Sequence, residues 1–119
     1  MQAYSGGAQP TRGIGSRLTN PAITTRIANT GALASGSWLV GYWLSNFHAT
    51  NTAYVQLRLR NAADSGNTWF HTVPIPPGQP VIMLVPIKDV TATGEQYDAA
   101  MDANFTGDLM ASVWCVNVG

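Results

Sequence analysis

The clearest pattern in the chain is AYVQLRLR, residues 53–60. Val55, Leu57 and Leu59 alternate with Tyr54, Gln56, Arg58 and Arg60. A period of two predicts a strand with its aliphatic face inward and its polar face out. SWLVGYWLSNF (37–47) has Trp38, Val40, Tyr42 and Leu44 on one side and Leu39, Trp43 and Phe47 on the other. Both sides are apolar, which predicts a central strand covered on both faces. Further strands are predicted at ITTRIAN (23–29), with Ile23, Thr25 and Ile27 on one side, and at TWFHTVPI (68–75), VIMLVPI (81–87) and LMASVWCVNV (109–118). YDAAM (97–101) reads as a weak strand or a short helix. Pro86 suggests an edge or a bulge near the end of its strand, because proline cannot donate a ladder hydrogen bond.

Segments rich in Gly, Pro, Asn and Asp separate these runs: NTGALASGS (29–37), HATNT (48–52), NAADSGN (61–67), PPGQP (76–80), KDVTATGEQ (88–96) and DANFTGD (102–108). No amphipathic helix is visible. Roughly seven strands between such turns predict an all-β fold, an antiparallel β-sandwich of jelly-roll or immunoglobulin-like type. Residues 1–20, MQAYSGGAQPTRGIGSRLTN, differ in texture. They carry four glycines and two arginines, with only Ile14 and Leu18 as aliphatics beyond alanine. Such a stretch buries too little apolar surface to offset its own ordering entropy. The expected organisation is therefore an extended N-terminal arm, 1–20, and a sandwich domain, 21–119.

Charge adds a constraint. Only 10% of the 119 residues are charged, and six bases balance six acids. Low charge suits a subunit packed among others, and a small lectin-like domain almost as well. The signs are segregated: Arg12, Arg17, Arg26, Arg58 and Arg60 lie in residues 1–63, which hold no acid, whereas every acid lies beyond. This suggests complementary patches meeting between neighbouring copies. Without a Lys/Arg cluster, nucleic-acid binding is not expected. No apolar run is long enough for a membrane-spanning helix, and no basic-then-apolar leader opens the chain, so synthesis and use in a cytoplasm are expected. The single cysteine, Cys115, lies in an apolar strand and reads as a core residue.

No catalytic set is present: no GxSxG, no HExxH, no paired-cysteine zinc spacing. His48 and His71 are isolated. No enzyme activity, metal or cofactor is expected. Asp102, Asn104, Thr106 and Asp108 resemble half of a calcium loop, but Val113 stands where an EF-hand needs its bidentate glutamate, so a polar turn is expected. Trp38, Trp43, Trp69 and Trp114 sit in strands among aliphatics, which favours core or subunit interface over a sugar-stacking platform.

From residue 37 onward the chain resembles a class of small tailed-phage structural proteins. The resemblance is carried by the aromatic strand, the alternating AYVQLRLRNA, the proline-glycine turn in VPIPPGQPVIML and the closing TGDLMASVWCVNV. It implies a capsid decoration or cement protein in the virion, made in the host cytoplasm. Its implied partners are the major capsid protein and further copies of itself, a trimer first. The arm would then reach neighbouring subunits. Arg12, Ile14, Arg17, Leu18, Arg58 and Arg60 are the expected interface residues. Alternatives are a phage tail or neck protein and a carbohydrate-binding, adhesin-like β-module, the last predicting exposed tryptophans.

Overall fold

The computed structural model describes residues 10–12, 14, 15, 17–90 and 92–119, with the backbone alone at 10–12, 14, 15 and 85–89. Ten strands run through them: β1 (Pro10–Arg12), β2 (Ile14–Gly15), β3 (Arg17–Thr19), β4 (Arg26–Asn29), β5 (Gly36–Asn46), β6 (Ala53–Arg60), β7 (Asn67–Ile75), β8 (Pro80–Val90), β9 (Gln96–Met101) and β10 (Asp108–Asn117). All pairings are antiparallel. The first sheet runs β1–β10–β5–β8, with β3 also on β10; the second runs β2–β4–β9–β6–β7. Successive strands alternate between the sheets, and only β6 and β7 form a hairpin. The sandwich is thus jelly-roll-like, wound across its core rather than folded as a meander.

The alternation in the sequence becomes the two faces of each sheet. Trp38, Val40, Tyr42 and Leu44 of β5 face Val55, Leu57 and Leu59 of β6, with Tyr97, Ala99 and Met101 of β9 and Leu109, Ala111, Val113 and Cys115 of β10 completing the core. The Tyr42 hydroxyl crosses the core to donate to the Asp98 backbone carbonyl at 3.0 Å, so this buried phenol is satisfied. Burial, and then the Asp98 charge, push its pKa well above the usual phenol value.

The seven long strands match the sequence reading, with three shifts. The first strand begins at Arg26, not Ile23, because Thr24 takes a left-handed conformation (φ 70°) and leaves Ile23 exposed. β8 continues to Val90, through residues expected to form a loop. YDAAM is a strand at the centre of the second sheet, between β4 and β6. β8 is the edge strand of its sheet, and its pairing with β5 slips between Trp38 and Val40, opposite the stretch holding Pro86.

Part of the segment expected as an extended N-terminal arm pairs with the sandwich of the same chain. From Pro10 the chain lies on its own sandwich. β1 and β3 pair with β10 through Pro10↔Val116 and Leu18↔Leu109, while β2 pairs with β4 through Ile14↔Asn29. Local composition lacks a strand signal because a preformed edge supplies the partners. Residues 1–9 lie outside the described residues.

Candidate functional site

The outward positions of the second sheet make a trough-like pattern of burial, covered along the middle and exposed at the margins. Its floor is Asp98 and Ala100 of β9, both buried, with Gln56 and Arg58 of β6 partly covered. Tyr54 of β6 stands at one end and Phe70 of β7 along one side, exposed at 48% and 58%. The other side is Arg26 of β4. Phe70 lies directly across from Arg58, and Thr72 across from Gln56. Four residues of strand rise separate Tyr54 from the level of Phe70, about 14 Å.

An ion network holds the floor. Asp98, fully buried, accepts Arg58 Nε at 2.7 Å and Arg58 Nη2 at 2.6 Å. Its Oδ2 also accepts Arg26 Nε at 2.7 Å. The bidentate geometry fixes the Arg58 plane. Arg58 Nη1 has no hydrogen-bond partner among the described residues. The tight 61–66 turn, with Asp64 at φ 55°, then carries a second carboxylate to the rim. Asp64 Oδ1 accepts Arg26 Nη2 at 2.7 Å and Arg60 Nε at 2.8 Å. These hydrogen bonds, Arg26 first, lower the Asp64 pKa to about 2. At the margin, Asn29 Nδ2 donates to Gln96 Oε1 at 2.7 Å. The trough thus presents oriented donors and acceptors between aromatic rings and a guanidinium.

The expected interface residues are dispersed. Arg58 and Arg60 meet in the trough. Arg17 lies on the other sheet, where its Nη2 pairs with Asp108 at 2.8 Å and its guanidinium sits 4.1 Å from the Phe47 ring centroid. Leu18 packs against the core edge. Arg12 and Ile14 take register positions opposite Trp114 and Asn29; their side chains lie outside the described residues. Every ion pair among the described residues joins an N-terminal-half arginine to a C-terminal-half acid of the same chain. Arg17, Arg26, Arg58 and Arg60 thus find acids within the same molecule, because antiparallel pairing brings distant segments side by side.

Other candidates are absorbed by structure. In the 102–108 turn, Asn104 accepts the Ile23 N–H, and Asp108 is taken by Thr19 and Arg17. No cluster of three His, Cys, Asp or Glu suited to a metal occurs among the described residues. His48 organises its own turn, its Nδ1 accepting the N–H groups of Thr50 and Asn51. Sequence reasoning missed Arg26, Asp64 and Asp98. Tyr54 and Gln56 were legible as outward residues. Phe70 could have been found from its alternation with Trp69 and His71, but Asp98 sat in the segment with the weakest period.

Comparison with solved structures places the fold. The xylan-binding domain from CBM 22, formally the x6b domain, superposes with a TM-score of 0.62 at 16% identity, covering 98% of this chain and 91% of that one. The C-terminal family 22 carbohydrate-binding module of Clostridium thermocellum Xyn10B gives 0.61 at 16% identity, covering 87% and 71%. The module CBM6cm-2 of Cellvibrio mixtus lichenase 5A, in complex with cellotriose, gives 0.55 at 13% identity, covering 95% and 88%. The chain is a β-sandwich of the kind those modules share. No protein-family model matches the sequence, and no curated protein does.

Proposed function

We propose that the chain is a non-catalytic carbohydrate-binding module that lays a glycan along the trough of its second sheet. The observation that carries this reading is the pairing of exposed Tyr54 and Phe70 with a fixed, partly covered Arg58 and with Gln56 between them. Sugar rings offer apolar faces to stack on aromatics and hydroxyls to engage planar donors; sites of that class combine a few oriented polar groups with apolar walls. Likeness to modules described as xylan-binding or bound to cellotriose supports a β-linked, neutral polysaccharide as ligand. The separation of the two aromatics suits an oligosaccharide better than a single sugar. Arg58 and Gln56 bond the hydroxyls, and Tyr54 and Phe70 carry the rings.

Titration calorimetry with xylohexaose and cellotriose tests this. Phe70→Ala and Tyr54→Ala remove exposed rings, so the fold stays intact. Each is expected to weaken binding at least tenfold, about 1.4 kcal/mol. No heat with either sugar, or wild-type affinity in both variants, would sink the reading.

A second reading, an assembly subunit of virion type bound to major capsid protein, draws on one observation: Trp43, Phe47, Ile82 and Leu84 lie exposed on the opposite sheet. Co-sedimentation with capsid shells tests it.

A further inference from the structure

The charges of the trough do not cancel. Arg26, Arg58 and Arg60 meet two carboxylates, Asp98 and Asp64. Arg26 stands in the middle. It shares Asp98 Oδ2 with Arg58 Nη2, at 2.7 Å and 2.6 Å, and Asp64 Oδ1 with Arg60 Nε, at 2.7 Å and 2.8 Å. The linked network therefore carries one cation more than it has anions. Other acids near it leave that surplus in place. Glu95 is buried in the fold, and its Oε1 accepts the Ala92 N–H. Asp102 lies past the end of β9, four residues on from Asp98, which is about 13 Å of strand rise. Arg26 reaches the opposite way, to Asp98 and Asp64.

Hydrogen-bonding capacity goes with the surplus. Arg58 spends its Nε–Nη2 edge on Asp98. A guanidinium is planar, so Nη1 lies on the edge turned away from that carboxylate. The residue paired with Arg58 on the side away from Asp98 is Phe70, because β6 runs between β9 and β7. Neighbouring strands are about 4.8 Å apart. A pyranose stacked on exposed Phe70 can therefore turn the group outside its ring onto Arg58.

We infer that the trough selects a glycan that bears a carboxylate: a uronic acid unit on an otherwise neutral chain, its ring on Phe70 and its carboxylate on Arg58 Nη1. This rests on the glycan reading of the trough and narrows its ligand. A neutral hydroxymethyl group in the same place would gain an ordinary hydrogen bond. A carboxylate gains a charge-assisted one and balances the surplus cation. One surplus charge suits an isolated acid group; a polyanion such as nucleic acid would need several phosphate contacts.

Titration calorimetry with three ligands tests the inference: xylohexaose, a xylo-oligosaccharide of similar length bearing one glucuronic acid, and the methyl ester of that acid, which keeps the shape and loses the charge. The acid is expected to bind about tenfold tighter than its ester. That advantage should shrink as salt rises from about 0.02 M to about 0.5 M. Arg26→Gln removes the surplus while Asp98 keeps Arg58, so the advantage of acid over ester should fall to about twofold or less. Asp64→Asn, at the rim, enlarges the surplus, so the advantage should grow. Opposite changes in one ratio are not what loss of folding would give, and melting temperatures verify the fold of both variants. Equal affinity for acid and ester, with xylohexaose still bound, would overturn this inference and leave the glycan reading standing. An advantage indifferent to both substitutions would overturn it as well. Silence from all three ligands would remove the glycan reading and this inference together.

Discussion

At the residue scale, Asp98 and Asp64 show how one carboxylate differs from another by position alone. Asp98 lies beneath two arginines and is fully buried; removing it would leave Arg58 partly buried without its counter-ion. Asp64 stands at the rim, a third exposed, and its two arginine bonds hold its pKa near 2, below the ordinary 3.8. A depressed carboxyl pKa stabilises the fold above the unfolded-state value, and that contribution is lost as pH falls through the folded one. Asp108, lowered by Thr19 and then Arg17, acts in the same direction. The urea midpoint is therefore expected to fall between about pH 4 and pH 2, and less steeply in Asp64→Asn. Exposure and salt screening keep the effect small. A midpoint that changed identically with pH in wild type and variant would remove Asp64 from the account. Arg58 was visible in the sequence as an outward residue of an alternating strand, but its partner Asp98 lies 40 positions away, and no local pattern names it.

At the element scale, β3 is instructive. Arg17–Thr19 shows no strand period, yet it takes register on β10, with Leu18 against the core and Thr19 Oγ1 donating to Asp108 at 2.8 Å. Deleting residues 1–20 should leave a cooperative melt, because the seven long strands and their core remain. The melting temperature should drop, since the partial burial of Leu18 and the edge hydrogen bonds are together worth a few kcal/mol at about 1 kcal/mol each. The bared β10 edge should also promote aggregation, read by light scattering. A truncated chain that melts like wild type and stays clear would mean these strands add nothing. β9 teaches the converse. Its Tyr97, Asp98, Ala99 and Ala100 look weak in isolation, yet a central position buries all four. Small residues there are chosen by the space between two neighbouring strands, a quantity absent from the segment itself.

At the scale of the whole molecule, the two sheets carry different chemistry on their outer faces: one a network of arginines and aspartates beside Tyr54 and Phe70, the other exposing Trp43, Ile82 and Leu84. The sandwich thickness separates them, so they should act independently. Ile82→Glu is expected to leave xylohexaose affinity within about twofold, whereas Phe70→Ala is expected to weaken it. Calorimetry on both variants would check this, and a matching loss of affinity in Ile82→Glu would tie the faces into one site. The expectation that β5 is covered on both sides came from its two apolar faces. Trp38, Val40, Tyr42 and Leu44 are indeed covered by the second sheet, whereas Trp43 and Phe47 are open to solvent in the single chain.

The all-β class, the inward face of β6 and most of the turns are legible in the chain alone. Those follow from a period of two and from the backbone limits of Gly, Pro, Asn and Asp, which act over a few residues. Which strands are neighbours emerges only in the folded chain, and with it the Arg58–Asp98–Arg26 network, the seating of β1, β2 and β3 on the sheet edges and the exposure of Trp43. Each of these depends on which distant segment fills the adjacent place. Pairing within each sheet is selected through burial summed over the whole core, not through any one stretch of chain.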